Sequence, residues 1–291
     1  MIPVGVIVVD KPSGITSHDV VARTRKVLQT RKVGHGGTLD PMATGVLLIG
    51  VDRATRLLGY LAQQDKVYQA TIRLGSSTLT DDSQGETLTS ASASQLAAID
   101  EAAIMLGIAK LTGEITQVPS SISAIKVDGR RAHSLVRAGA SVELQARAVT
   151  VASFAVHRLT VDPKWLDLDI EVTCSTGTYI RALARDLGAG LGVGGHLTAL
   201  RRTRVGPFSA AEAVDLSDLT SKSVISMGEV ASRAFLTWGV DERASDAVAH
   251  GRRIEWGPDD SGPLAITTAA GDLLAIAVRQ NGLAHYLAVF V

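Results

Sequence analysis

Residues 34–45 read GHGGTLDPMATG, and they place a single carboxylate, that of Asp40, between a glycine-rich approach and a proline. The glycines have no side chain, so the backbone on that side can come close to a bulky ligand. Pro41 fixes the chain directly after the acid and disfavours the α conformation for Asp40 itself. Asp-Pro is also a common helix opening, with the aspartate as N-cap. Taken alone, the stretch leaves both a reactive carboxylate and a helix cap open.

The composition is that of an ordinary globular protein, with 291 residues of which 46% are hydrophobic and 20% charged, enough for one large domain or two. Its one cysteine, Cys174, excludes an intrachain disulfide framework and a cysteine-rich zinc site. The histidines show no metal-binding spacing, and no Walker lysine motif or serine-hydrolase elbow occurs, so we expect no metal and no cofactor. The chain lacks a signal-peptide pattern and an apolar run near the ~18 residues that span a bilayer, which predicts a cytoplasmic protein without membrane contact.

The net charge of zero hides an asymmetry along the chain. Residues 1–208 carry 23 Lys and Arg against 18 Asp and Glu, whereas residues 209–291 carry 6 against 11. The basic residues also fall into three clusters, which are Arg23, Arg25, Lys26, Arg31 and Lys32; Lys126, Arg130, Arg131, Arg137 and Arg147; and Arg201, Arg202 and Arg204. One such cluster is typical of solvated surface, but three in one part of the chain predict a surface that binds a polyanion.

Hydrophobic periodicity predicts both strands and helices. Residues 66–74 alternate, with Tyr68 on the apolar face, and residues 166–174 alternate more regularly still. The second alternation places Cys174 in the core, which favours a structural cysteine over a reactive thiol. Residues 180–188 have the spacing of an amphipathic helix.

Two further patterns concern the ends of the chain. Thr16-x-x-Asp19 is a capping-box pattern that predicts a helix start. Behind it, the apolar positions between Val20 and Leu28, Val27 among them, are expected on one buried helical face. From about residue 230 the sequence shows short strand patterns divided by glycine-containing turns, which predicts a small separate β domain.

Six motifs, in the same order, resemble those of the TruB family of pseudouridine synthases, the bacterial tRNA pseudouridine-55 synthases and their RNA-guided archaeal and eukaryotic relatives. Residues 34–45 resemble the catalytic motif of that family. The other five motifs are Asp10-Lys11-Pro12-x-Gly14-x-Thr16-Ser17; Lys66-x-Tyr68-x-Ala70 with Leu74-Gly75; Pro119-Ser120 with Ser123-Ala124-Ile125-Lys126 and Gly129; Cys174-Ser175-x-Gly177-Thr178-Tyr179-Ile180-Arg181; and His196-Leu197-x-x-Leu200-Arg201-Arg202. Gly36 stands where the family often has Thr, and His133 stands where it often has Tyr. Motifs spread over residues 10–202 argue strongly against a chance match.

The resemblance implies a fold and a domain organisation. We expect a mixed α/β, α+β pseudouridine synthase domain over residues 1–229, with a central, mostly antiparallel β-sheet flanked by helices. An RNA-gripping insertion is expected at about residues 118–147. Residues 230–291 are expected to form a small C-terminal, β-rich, PUA-like domain.

The resemblance also implies the reaction, which is the isomerisation of uridine 55 in the T-loop of tRNA to pseudouridine, without a redox step, group donor or metal. Asp40 would be the nucleophile, attacking either the base or the ribose C1′ after the base is flipped out of the loop. Arg181 would pair with Asp40 and keep it ionised. Tyr68 would stack on the uracil and take part in removing its C5 proton.

Other residues are expected, by the same resemblance, to bind RNA. Leu200 would pack against the flipped base, and His35 would fill the space that the base leaves. Basic side chains would contact the RNA backbone; they are Lys11, Lys126, Arg130, Arg131, Arg201 and Arg202. The expected partner is the T-arm stem-loop of tRNA, bound by a monomer that needs no obligate protein partner.

Three rival interpretations were weighed against this one. A non-catalytic RNA-binding or tRNA-folding protein on the same scaffold would be expected to lose Asp40, Tyr68 or Arg181, and all three are present. A small-molecule hydrolase using Asp40 would need a general base or an oxyanion motif, and neither accompanies the acid. The RNA-guided relatives typically carry basic tails, which this sequence does not show.

Overall fold

The computed structural model describes residues 3–120, 126–127, 130–131 and 145–291, without side chains for residues 126–127 and 130–131. The strands are β1 (Gly5–Lys11), β2 (Val33–His35), β3 (Thr44–Val51), β4 (Lys66–Leu74), β5 (Ser76–Thr78), β6 (Thr87–Ser90), β7 (Gly113–Gln117), β8 (Lys126–Val127), β9 (Arg130–Arg131), β10 (Arg147–Asp162), β11 (Trp165–Cys174), β12 (Gly195–Val205), β13 (Phe208–Ser209), β14 (Val214–Asp215), β15 (Ile225–Ser226), β16 (Thr237–Gly239), β17 (Leu264–Thr267), β18 (Leu273–Gln280) and β19 (Leu283–Val289). The α-helices are α1 (Ser17–Leu28), α2 (Leu58–Leu61), α3 (Ala93–Ala97), α4 (Glu101–Lys110), α5 (Ile180–Gly190), α6 (Met227–Ala234) and α7 (Glu242–Ala249). Short 3₁₀ turns occupy Asp52–Arg56 and Ser221–Ser223.

The start of α1 shows how a local pattern sets a boundary. Thr16 Oγ1 accepts a hydrogen bond from the Asp19 backbone N–H at 3.1 Å, and Asp19 Oδ2 accepts one from the Thr16 N–H at 2.8 Å. This confirms the predicted capping box. The prediction that Val27 is buried is wrong, because its side chain is 47% exposed. Val27 lies in the last turn, at the edge of the buried stripe of the helix.

The chain divides into two compact units that are not continuous in sequence. One comprises Met1–Leu39, Gly45–Ala62 and Gly206–Val291, and the other comprises Asp40–Thr44 and Gln63–Val205. We call them the terminal unit and the central unit. The predicted domain boundary divides the chain at a single point, between residues 229 and 230, and the two discontinuous units do not test it. This boundary stays a prediction.

The central unit is built on a sheet with the strand order β12-β4-β11-β10-β7, in which every neighbouring pair is antiparallel. Helix α5 packs against β12 and β4. Burial alternates along β4 and β11 as predicted, and Cys174 is buried. The predicted mixed α/β fold with a mostly antiparallel sheet flanked by helices is therefore confirmed.

In the terminal unit, β1 pairs with β3 and β15 in antiparallel fashion and with β14 in parallel, and β2 pairs with β3. The C-terminal residues of this unit form a separate sheet of order β16-β17-β18-β19. Its core includes Val248 from α7, Ile266 from β17 and Ala275 from β18, with Trp238 and Trp256 packed against them. The predicted β-rich C-terminal region is thus observed.

Part of the predicted RNA-gripping insertion lies outside the described residues. Strands β8 and β9 pair in antiparallel fashion, with Lys126 opposite Arg131 and the backbones of Val127 and Arg130 in register. Residue 133 and the remainder of 132–144 are not described. No helix among the described residues has both the length and the apolar character needed to cross a membrane.

Candidate active site

Asp40 follows the glycine-rich stretch and lies in a turn, not at the start of a helix. The backbone N–H of Ala43 donates to the Asp40 carbonyl at 3.1 Å, which closes this turn, and strand β3 follows. The helix-cap alternative is therefore wrong. The Asp40 side chain is 34% exposed, so its carboxylate is accessible to a ligand while most of its surface is enclosed.

The partner of Asp40 is Arg181, in the first turn of α5. Arg181 Nε lies 2.9 Å from Asp40 Oδ2, and Nη2 donates to Asp40 Oδ1 at 3.2 Å. This bidentate contact fixes the orientation of the carboxylate and places a positive charge beside it. The Arg181 side chain is only 5% exposed. The predicted pairing of these two residues, 141 positions apart in sequence, is thus present.

A buried glutamine holds the chain where α5 begins. Gln117, at the end of β7, donates from Nε2 to the Tyr179 carbonyl at 3.0 Å and accepts at Oε1 from the Tyr179 N–H at 2.8 Å. Tyr179 is the N-cap of α5 and has no capping side chain of its own. The position of Arg181 therefore depends on a residue that sequence reasoning did not single out.

A second carboxylate, Asp82, shares the Arg181 guanidinium. Arg181 Nη1 lies 3.6 Å from Asp82 Oδ2 and donates to the Thr80 carbonyl at 2.8 Å. Asp82 Oδ1 accepts from Thr80 Oγ1 at 2.5 Å and from the Gln84 N–H at 3.0 Å. With its side chain 6% exposed, Asp82 is the more buried of the two carboxylates. It is a positioning residue for Arg181 that sequence pattern did not mark, because residues 78–94 are rich in Ser, Thr, Asp and Gly, as a polar loop is.

The adjacent aspartate belongs to a different pair. Asp81 Oδ2 lies 3.3 Å from Arg185 Nη1, one turn further along α5. Burial raises the pKa of the Asp81 carboxyl above its usual range, and the Arg185 guanidinium acts in the opposite direction. Arg185 also donates to the Val118 carbonyl at 2.7 Å. Two consecutive aspartates thus tie their loop to α5 at two successive turns.

Tyr68 lies on the buried face of β4, opposite Val172 of β11 and Arg202 of β12. Its side chain is 8% exposed. Burial raises the pKa of the Tyr68 phenol above its usual range, the hydrogen-bonded Arg202 guanidinium acts in the opposite direction, and the Asp40 carboxylate raises it further. The phenol is therefore neutral at physiological pH and lies within electrostatic reach of Asp40. The structure brings Asp40, Arg181 and Tyr68 together.

The last motif contributes three side chains from β12. Leu200 is buried and lies opposite Ala70, on the same sheet face as Tyr68. Arg201 is half-buried, and its Nη1 donates to Thr44 Oγ1 at 3.4 Å. Arg202 is 1% exposed. Of the two arginines of this motif that were predicted to contact the RNA backbone, only Arg201 is therefore partly accessible.

Lys11, for which we predicted contact with the RNA backbone, lies in the turn between β1 and α1. Its side chain is fully buried, and Nζ donates to the carbonyls of Pro12 at 2.9 Å and Ile15 at 2.8 Å. An ammonium group in this position closes the turn between β1 and α1 and is not presented to a polyanion. A direct contact of Lys11 or Arg202 with RNA stays a prediction, and burial weighs against it.

Four predicted RNA-binding residues remain. His35 belongs to the terminal unit, on β2, and its ring meets that of His18 edge to face with centroids 5.2 Å apart. For Lys126, Arg130 and Arg131 the structure describes the backbone pairing alone, so their side chains are outside the described part of the chain.

A buried lysine lies on the same face of β4 as Tyr68. Lys66 is 6% exposed, donates from Nζ to the Gln64 carbonyl at 2.6 Å, and is opposite Cys174 of β11. Burial, reinforced by the positive charge of Arg202, lowers the pKa of Lys66 to about 8. Burial raises the pKa of the Cys174 thiol to about 11, which agrees with the prediction of an inert core cysteine.

This arrangement suits nucleophilic attack by a carboxylate. Asp40 is held in one orientation by a guanidinium, with a neutral phenol nearby that can donate or accept a proton. Across the described part of the chain, no group of three or more His, Cys, Asp and Glu side chains is arranged to hold a metal ion.

Comparison with protein-family models gives two matches. The N-terminal domain of the TruB family pseudouridylate synthases matches residues 25–180, and the tRNA pseudouridylate synthase B C-terminal domain matches residues 181–236. The chain is also similar to curated proteins named tRNA pseudouridine synthase B. The one from Streptomyces griseus subsp. griseus is 50% identical over 294 residues, covering 99% of this chain and 97% of the relative. The one from Thermobifida fusca is 52% identical over 291 residues, covering 98% of each.

Solved structures with the same fold include Cbf5 assemblies. A chain in the crystal structure of a Cbf5–Nop10–Gar1 complex superposes with a TM-score of 0.75 at 27% identity, covering 100% of this chain and 86% of that one. A chain in the crystal structure of the archaeal box H/ACA sRNP Nop10–Cbf5 complex superposes with a TM-score of 0.73 at 27% identity, covering 100% of this chain and 87% of that one. The whole length of the chain is thus accounted for by one known architecture.

Proposed function

The chain belongs to the TruB family of pseudouridylate synthases, and from this membership we propose that it isomerises uridine 55 in the T-loop of tRNA to pseudouridine. It is therefore an isomerase, as its sequence motifs predicted. The observation that carries the assignment to this site is the Asp40–Arg181 pair with Tyr68 beside it. The names of the full-length relatives support tRNA as the substrate.

In the proposed reaction, Asp40 supplies the nucleophilic oxygen. The N1 glycosidic bond of uridine breaks, the uracil turns within the site, and a bond forms from C5 to the ribose C1′. The covalent bond to Asp40 breaks again before product leaves, and the proton lost from C5 is matched by one gained at N1. Arg181 holds both oxygens of Asp40, so one of its two hydrogen bonds must weaken as that oxygen forms a covalent bond. Asp82 is proposed to keep the guanidinium in place during this change, because it is buried and is itself held by the Gln84 N–H.

Tyr68 is proposed to contact the uracil ring and to take part in removing the C5 proton. A phenol whose pKa is raised stays protonated at neutral pH, and Arg202 on the neighbouring strand acts in the direction that favours the phenolate needed for proton removal. Leu200, on the same face, is proposed to pack against the base. Both roles require that the uridine leaves the stack of the T-loop, at a cost of a few kcal/mol.

Binding of the tRNA arm is proposed to rest on phosphate contacts by basic side chains, with Arg201, Lys126, Arg130 and Arg131 among them. We propose a cytoplasmic enzyme that acts as a monomer, without an obligate protein partner and without a cofactor. A non-catalytic RNA-binding protein on the same scaffold is the alternative to be excluded by experiment.

The test is a comparison of the wild-type protein with Asp40→Asn on an unmodified tRNA transcript, with pseudouridine mapped by carbodiimide primer extension. Asp40→Asn is nearly isosteric and removes the nucleophilic charge, so we expect no product while tRNA binding, measured on filters, stays within about twofold. Asp218→Asn, at an exposed position, is the matched control and should retain full activity. Turnover by Asp40→Asn at about a tenth of the wild-type rate or more would remove Asp40 from the central role. An inactive wild-type protein that still binds tRNA would favour the alternative.

A further inference from the structure

The central unit contains a second pocket, with a volume of about 600 Å³, beside the β5–β6 hairpin. Its walls include Arg73 at the end of β4, Trp165 at the start of β11 and His196 on β12. Pockets of this size are typical of sites for small molecules and single nucleotides. His196 belongs to the last sequence motif and has no part in the active site.

This pocket lies on the other face of the sheet from the active site. His196 is opposite Arg73, which is opposite Asp167, so these three side chains share one face. Tyr68 is an odd number of residues from Arg73 on the same strand, and successive side chains of a strand point to opposite faces. The pocket is therefore separate from the Asp40–Arg181–Tyr68 site.

His196 has a free nitrogen on the pocket wall. Its side chain is 94% buried, and Nδ1 lies 3.0 Å from the Ser76 carbonyl oxygen. A carbonyl only accepts, so Nδ1 carries the proton of this bond. Nε2 makes no hydrogen bond to any described residue. Since His196 lines the pocket, this nitrogen is available there as a hydrogen-bond acceptor for a ligand.

The charged lining is basic. Arg73 is fixed by two hydrogen bonds to Asp167, of 2.8 and 2.7 Å, and its guanidinium carbon lies 4.3 Å from the centroid of the Trp165 ring. Lys164 is exposed at the rim and makes no ion pair within the described residues. No carboxylate lines the pocket. The wall thus combines positive charge with an aromatic ring that is held in place by Arg73.

Residues with hydroxyl groups also line the pocket. The side chains of Ser83, Thr87 and Ser90 line the pocket, and none of their oxygens forms a hydrogen bond within the described residues. Such groups can donate to phosphate oxygens and accept from ribose hydroxyls. A neutral sugar would not require the basic lining, and inorganic phosphate alone would not require the aromatic ring.

We propose that this pocket binds one nucleotide, with its phosphate near Lys164, a ribose hydroxyl donating to Nε2 of His196, and its base against Trp165. The nucleotide can be part of an RNA strand or a free nucleoside monophosphate, because both present the same phosphate, ribose and base. If it belongs to tRNA, the pocket extends the substrate contacts of the proposed function to the second face of the sheet.

The test is isothermal titration calorimetry of the full chain with three probes: AMP, the pentaribonucleotide of adenosine, and inorganic phosphate. We expect AMP or the pentaribonucleotide to bind, and Lys164→Met or Trp165→Leu to weaken binding by about tenfold or more. Lys110→Met, at an exposed lysine outside the pocket, is the matched control and should change nothing. Tighter binding of the pentaribonucleotide than of AMP identifies an RNA strand as the source, whereas binding of AMP alone identifies a free nucleotide.

The proposal is overturned if neither AMP nor the pentaribonucleotide binds the wild-type protein at about 5 mM, or if binding is the same in both pocket variants. Binding of inorganic phosphate as tight as that of AMP would also overturn it, since the ring would then contribute nothing. Lys164→Met changes an exposed side chain and keeps the test valid if Trp165→Leu fails to fold. Asp40→Asn should bind AMP as the wild type does. A wild-type protein that binds AMP but forms no pseudouridine would count against the proposed function and not against this pocket.

Discussion

Replacing Lys66 by Met should change how the stability of this protein depends on pH. Lys66 is a buried ammonium group beside Arg202, and its pKa in the folded protein is about 8, against 10.5 for the ordinary side chain. Below pH 8 both the folded and the unfolded chain hold this proton, so pH has no effect through Lys66. Between pH 8 and 10.5 the unfolded chain holds more protons than the folded one, and the free energy of unfolding therefore rises with pH.

The size of the effect follows from the two pKa values. Between pH 7 and pH 10 the contribution of Lys66 to the free energy of unfolding should rise by about 2.5 kcal/mol, and Lys66→Met should lack this rise. The measurement is urea unfolding followed by tryptophan fluorescence at pH 7, 8, 9 and 10, with the difference between wild type and variant plotted against pH. Lys110→Met, at an exposed lysine, is the control and should follow the wild type. A difference that is flat or falls across this range would refute the burial argument for Lys66.

Three further outcomes concern the active site. Arg181→Met should lower kcat by about 100-fold or more, since the carboxylate of Asp40 loses both hydrogen bonds, whereas Arg158→Met, which breaks an exposed ion pair, should leave steady-state kinetics unchanged. Tyr68→Phe should bind tRNA normally in a filter assay but form product slowly, because it keeps the ring and loses the hydroxyl; a normal rate would exclude the phenol from the chemistry. Affinity for tRNA should fall steeply with salt concentration. Arg201→Gln should make this dependence shallower, whereas Arg252→Gln should not. Equal slopes of log affinity against log salt for the two variants would contradict a phosphate contact by Arg201.

Much of the local structure could be predicted from sequence pattern alone. The capping box at Thr16, the alternating strands around Tyr68 and Cys174, and the helix that starts at residue 180 were all predicted and are all present. These features depend on short-range rules, namely which side chains cap a helix and which alternate between core and solvent. The errors were of the same local kind: Val27 lies at the edge of its buried stripe rather than within it.

The candidate site was predictable only where a motif marks it. Asp40, Tyr68 and Arg181 could be named because each lies in a motif of a known family. Asp82 could not, because its neighbourhood has only the composition of a polar loop, and nothing in that composition shows that its carboxylate reaches the guanidinium of Arg181.

Charge pattern could not separate basic side chains that face solvent from those that hold the fold together. Lys11 and Arg202 lie in basic or polar motifs, yet one closes a turn and the other is buried beside Tyr68. Composition determines how many basic side chains a segment carries, and the alternation of a strand determines which face of the sheet each of them lies on. Whether that face is covered depends on strands and helices from distant parts of the chain, as with α5 packed on β12 and β4, and only the tertiary structure decides this.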